Sequence, residues 1–414
     1  MDDTERKERL QSRPLYRDRN LQILFGVTLM AVLGVASIAP ILPEVSQALG
    51  VSHNQVGLLV TAYTLPGIVL TPVLGIMSDR IGRKKVLAPS LFLFGVAGTA
   101  VAFAPTFESM LALRLLQGMG AAALGTITVT TIGDLYADRE RTEAMGYNAS
   151  VLSLGTGSYP AIGGLLAIFG WRYPFLLPAA AIPIGLLVMS SLNNPEPSNE
   201  RGLKEYAANL RETIRGKQVV GLLAATFTTF LILYGARVTY LPLLIENSFG
   251  ASPLVVGLIL SSTSVATAVT AWQLGRITRR VAEKYLIAFA FGLYAVALVL
   301  IPLVPSLYLL LVPSLIFGVA QGLNLPNVFS LLAGSVSSES RGALLSLNGM
   351  VLRTGQTIGP LMMGAMAASL TIGGAYTLLA LLPLAMSALA LVTIDGSRPR
   401  VTTLAPGADD RRAS

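Results

Sequence analysis

Apolar residues gather along this chain in twelve runs parted by short polar breaks: 20–43, 55–77, 86–104, 109–133, 143–168, 173–192, 218–241, 254–275, 285–303, 307–332, 343–368 and 374–394. About twenty predominantly apolar residues, rising about 1.5 Å each as a helix, span the hydrocarbon core of a bilayer. The pattern therefore predicts an all-α membrane protein of twelve transmembrane helices. Composition agrees: 53% of residues are hydrophobic and 13% charged, against about a quarter charged in soluble domains. There is no cysteine, so disulfides and thiolate metal sites are excluded.

The breaks orient the chain. With the N-terminus placed inside, 26 of the 30 Lys and Arg fall in the inner segments, and Arg172 is the one basic residue of an outer loop. By the positive-inside rule both termini are expected in the cytoplasm, and the net charge of +8 needs no nucleic-acid partner. Residues 1–19 read as a solvated cytoplasmic tail and 395–414 as a second one. The first twenty residues carry charge throughout, so no cleavable signal peptide is expected. The longest internal break, 193–217, places Leu203, Tyr206, Leu210 and Ile214 at helical spacing among basic residues, the pattern of an amphipathic helix at the inner leaflet.

The two halves repeat. At an offset of 200 residues Gly50 meets Gly250, Val56-Gly57-Leu58 meets Val256-Gly257-Leu258, and Gly75, Pro105, Gly155, Pro160 and Gly164 meet Gly275, Pro305, Gly355, Pro360 and Gly364. Residues 20–192 and 218–394 are thus expected to form two parallel, pseudo-symmetric six-helix bundles, an architecture in which a central cavity opens alternately to either side.

Between the second and third runs stands Gly75-x-Met77-Ser78-Asp79-Arg80-x-Gly82-Arg83-Lys84-x-x-Leu87. It resembles the inner-loop signature of the major facilitator superfamily, with Met77 and Ser78 as departures. The resemblance implies that Asp79 and Arg83 belong to a charge relay, with Asp134 at the inner end of the fourth helix, which latches the inner side in the outward-facing state; Gly75, Arg80 and Gly82 complete the motif. A carboxylate at a helix N-terminus and a bidentate arginine would favour such a relay, while the same charges also enforce topology. The counterpart Gly275-Arg276-x-x-Arg279-Arg280 lacks the aspartate.

In the fourth run, Arg114-x-x-Gln117-Gly118-x-Gly120 is similar to a second signature of that family. Arg114 either faces a cavity or snorkels to the outer interface. In the fifth, Gly146-x8-Gly155-x3-Tyr159-Pro160-x2-Gly163-Gly164 resembles the signature of the antiporter branches, with Tyr159 where that pattern has glycine. The eleventh run repeats the element as Gly355-x3-Gly359-Pro360. Small residues and a proline suit a hinge between closely packed helices.

Two further arginines lie within runs: Arg237, near enough to the outer end to snorkel, and Arg353, near the middle of the eleventh and paired with Gln356 or exposed to cargo. Asn148, Tyr159 and Asn324 are further cavity candidates. The 22 carboxylates all fall at interfaces or in loops, which leaves Glu44, Glu246 and Asp134 as proton carriers. The chain has neither a Walker A pattern nor a metal-ligand or nucleophile–base constellation, so no cofactor, metal or enzymatic activity is expected. The sequence points to a monomeric secondary transporter of the inner cell membrane exchanging a small drug-like or metabolite molecule for protons. Its rivals are a carrier of a small organic anion or anionic lipid and a transport-inactive membrane scaffold or sensor.

Overall fold

The computed structural model describes residues 14–193, 216–336 and 338–395, and of residues 338–343 the backbone alone. The helix expected within 193–217 and most of both tails lie outside the described residues. Twelve helical segments follow in order: α1 Arg19–Leu49, α2 His53–Ile81, α3 Arg83–Phe103, α4 Phe107–Leu135, α5 Asp138–Ala167, α6 Tyr173–Ser191, α7 Lys217–Phe249, α8 Pro253–Ile277, α9 Glu283–Leu303, α10 Leu307–Gly334, α11 Ser338–Ser369 and α12 Ile372–Thr393. Ten are long and apolar enough to cross a membrane. The other two, α5 and α11, run for 30 and 32 residues but open on charged turns, and both pack at the centre of the molecule, where water and neighbouring helices tolerate polar side chains.

The segments form two bundles, α1–α6 and α7–α12. They meet where α2 packs on α11 and α5 on α8. Here the end carrying the loop from Gly75 to Leu87 is denoted the inner end. Ahead of α1, Leu15–Arg17 form a single 3₁₀ turn, and Asp18 caps α1 by accepting the Leu21 N–H at 3.1 Å. Tyr136, just past α4, donates to the same carboxylate at 2.6 Å. Burial and that carboxylate raise the Tyr136 phenol well above its usual range, because ionising it would place two negative charges on one hydrogen bond.

At several glycines the helices pack backbone against backbone. A Cβ at Gly163 would collide with the Ser37 carbonyl of α1, one at Gly164 with the Pro253 carbonyl of α8, and one at Gly257 with the Pro160 carbonyl. Gly355 and Gly359 hold α11 against Phe227 and Leu231 of α7 in the same way. Tyr159 occupies the position equivalent to Gly359 and is itself buried. The α1–α5 approach therefore moves about one turn outward, to Gly163.

Candidate functional site

The hydrogen bonds that join the two bundles, among the described residues, lie from the outer ends to the middle of the helices. At the outer rim Gln47 donates to Glu246 at 2.6 Å, Tyr240 to Asn54 at 2.9 Å, and His53 stands 3.5 Å from Asn247. Deeper, Thr61 donates to the Thr357 carbonyl at 3.4 Å and the Thr64 and Thr357 hydroxyls lie 2.9 Å apart. Pro160 has no N–H and so leaves the Thr156 carbonyl without its helical partner. Ser264 of α8 donates to that carbonyl at 3.3 Å across the bundle interface. No cross-bundle hydrogen bond lies at the inner ends among the described residues, and a Cβ added at Gly75, Gly146 or Gly275 there would meet no atom within 4 Å.

At the inner end of the first bundle Arg83 gathers the expected charges. It pairs with Asp79 and, through Nε, with Asp134 Oδ2 at 3.0 Å; its Nη1 also donates to Ser78 Oγ at 2.7 Å. Arg80, from the same motif, is exposed. The dipole expectation is corrected. Asp79 and Asp134 stand at the C-terminal ends of α2 and α4, and Arg83 is the first residue of α3, following Gly82 at φ 101°. Each charge thus faces the helix end that disfavours it, and the group is held by its own pairing. All three residues belong to one bundle, and among the described residues the group ties α2, α3 and α4 together without crossing to the other half.

Arg114 neither snorkels nor lines the cleft. It is 1% exposed and is held inside its bundle by the Gly34 carbonyl at 2.8 Å, the Leu59 carbonyl at 3.2 Å and Gln117 Oε1 at 2.7 Å. Its Cζ lies 4.4 Å from the Tyr63 ring centroid, a stacked cation–π geometry. Gly118 and Gly120 let α4 reach the backbones of α2 and α3. Arg237 also stays inside, donating to the Leu260 carbonyl from an irregular π-helical turn, Leu233–Tyr240, in α7. Asn148 accepts from Thr28 at 2.6 Å and Asn324 donates to Thr229 at 2.6 Å. Both tie helices within a bundle.

Arg353 differs. It lies 15 residues from one end of α11 and 16 from the other, is half-buried, and crosses the bundle interface to pack over Gly67 of α2, where a Cβ would come within 3.0 Å of its Cδ. The one hydrogen bond of its side chain among the described residues goes to Gln356 Oε1 at 3.1 Å. Sequence reasoning missed Gly67, whose significance depends on which helix faces it. Every described carboxylate within the helices lies no more than five residues from a helix end, so the middle of the cleft carries arginine and no acid.

The sequence model of the Major Facilitator Superfamily matches residues 24–250 and 222–413. The chain belongs to this superfamily. It is 27% identical over 357 residues to the bacillibactin exporter of Bacillus subtilis (strain 168), covering 83% of this chain and 88% of that one. It is 24% identical over 355 residues to the quinolone resistance protein NorA of Staphylococcus aureus (strain MSSA476), covering 84% and 90%. The crystal structure of a bacterial homologue of the human lysosomal transporter Spinster, inward-facing and unoccupied, superposes with a TM-score of 0.72 at 18% identity, over 92% of this chain and 96% of that one. That likeness establishes the two-bundle fold. This superfamily member is a transporter and not an enzyme.

Proposed function

We propose that this protein is a secondary active exporter that takes a small molecule from the inner side and releases it outside by alternating access, in exchange for protons. One observation carries the reading: among the described residues the hydrogen bonds that join the bundles run from the outer rim to mid-depth and no further, an arrangement that suits opening towards the inner side. The similarity to a siderophore exporter and a quinolone resistance protein supports the outward direction. The charge distribution supports a cell-membrane protein with both termini cytoplasmic, and one chain supplies both bundles, consistent with a working monomer. Asp79, Arg83 and Asp134 serve as the inner latch, their cross-bundle contact forming when the inner ends close.

Glu44 and Glu246 are the described outer carboxylates on α1 and α7, and Glu246 already joins the two halves. They carry the coupling proton in this reading. The test is purified protein in liposomes with a fluoroquinolone or an aromatic acid as cargo: cargo addition is expected to move protons, and an imposed pH gradient to drive cargo. Cargo flux indifferent to the gradient would overturn proton exchange, and no flux of any cargo would favour the scaffold. A carrier of organic anions is the second reading, favoured by Arg353 alone in an acid-free cleft.

A further inference from the structure

The middle of the cleft is rich in donors and poor in acceptors. Arg353 has five N–H groups and bonds one of them, to Gln356. The Tyr63 hydroxyl is buried and unpartnered among the described residues, on a ring 2% exposed. Tyr234 of α7 stands beside Gln356, and both phenols lie within electrostatic reach of Arg353. The Arg114 guanidinium lies over the Tyr63 ring, and the Tyr63 hydroxyl packs against Gly34 of α1. Arg353 is half-buried, and a charge at membrane depth normally finds an opposite charge or a water-filled cavity. No described carboxylate reaches the middle of the cleft to pair with it. A cationic cargo would meet like charge there. A carboxylate, sulfonate or phosphate would meet a planar fork that binds such groups bidentately.

We infer that the cargo is an organic anion, and that Arg353, assisted by Tyr63 and Tyr234, is the group that binds its acidic end. The inference rests on the transporter reading and adds the chemical class of the substrate. It also gives binding a mechanical consequence: Arg353 of α11 lies over Gly67 of α2, so an anion held by Arg353 and Tyr63 bridges the two bundles at the depth where their cross-links end.

The test uses the purified full-length protein in detergent, with thermal unfolding followed during titration by salicylate, naphthyl phosphate and benzenesulfonate, and by tetraphenylphosphonium as a lipophilic cation. At least one anion is expected to stabilise the protein saturably. Arg353→Gln is expected to weaken that anion more than about tenfold, Arg353→Lys by less, and Tyr63→Phe a few-fold, in the order set by charge-assisted and neutral hydrogen bonds. Should Arg353→Gln not fold, Arg353→Lys and Tyr63→Phe carry the comparison. Stabilisation by none of the three anions, stabilisation by the cation alone, or anion binding untouched by all three substitutions overturns the inference. Failure here is separable from failure of the transport reading: flux of tetraphenylphosphonium in liposomes, indifferent to Arg353, would leave the transporter standing and remove the anion.

Discussion

At their inner ends the two bundles use one backbone plan with inverted charge. In the first, Asp79 closes α2 and Arg83 opens α3; 200 residues on, Arg279 follows the end of α8 and Glu283 opens α9. Glutamate in the first turn of a helix is stabilised by the macrodipole, and a cation beyond a C-terminus likewise. The second corner is therefore satisfied by its own helices, and among the described residues the ion pairs are those of Arg83 alone. The first corner has each charge at the unfavourable helix end and depends on its pairs. A group of this kind can be released by a competing charge, which suits a latch, whereas the satisfied corner has little to exchange.

Removing the pairing should expose this difference most strongly. Arg83→Ala leaves two carboxylates at helix C-termini, and transport in liposomes is expected to fall more than about tenfold, about 1.4 kcal/mol or more on the rate-limiting step. Glu283→Ala is expected to stay within about twofold, near the limit of a single exposed helix-dipole contribution. Equal losses would erase the distinction between the corners.

Glycines at tight and at open positions give the next effect. Gly359→Ala presses a methyl group onto the Leu231 carbonyl and is expected to cost about 1–3 kcal/mol, the range for overpacking, read as a lower unfolding temperature. Gly275→Ala, which meets open space, is expected to leave that temperature unchanged within about 1 kcal/mol of stability. The Ser264 hydroxyl is a smaller case: Ser264→Ala strands the Thr156 carbonyl freed by Pro160 and is expected to change the balance of inward and outward forms by about 1 kcal/mol, measured by spin-label distances across the outer rim.

An effect of similar size lies at Tyr136. Its phenol is held protonated in the folded state, while the unfolded chain releases the proton near the ordinary value of 10.0. Its contribution is whole below that pH and is lost as pH rises beyond it, because the unfolded state then binds fewer protons. Tyr136→Phe is expected to remove about 0.5–1.5 kcal/mol at neutral pH and to flatten the alkaline decline in stability. An unchanged decline in the variant would place its cause elsewhere.

Hydropathy, the offset of 200 residues and the loop motif were sufficient for helix number, bundle symmetry and family, because membrane-spanning segments must satisfy their backbone internally and so show themselves in local sequence. The same local signals named Arg114, Arg237, Asn148, Asn324 and Arg353 as candidates, with Arg353 foremost because it lies near the middle of its run, and could not say what each one faces. Spacing along a helix identifies a polar residue but not the surface opposite it. Tertiary packing separated them: Arg114 found the carbonyls of Gly34 and Leu59, Arg237 that of Leu260, Asn148 and Asn324 found threonines of their own bundles, and Arg353 alone reached across to the other half. Likewise the sequence alone placed Asp79, Arg83 and Asp134 in one loop system by resemblance, while which helix ends they occupy, and against which dipoles, required the fold. Length and polarity are properties of a single segment; the partner of a buried charge depends on two segments meeting, and that is determined only when the bundles pack.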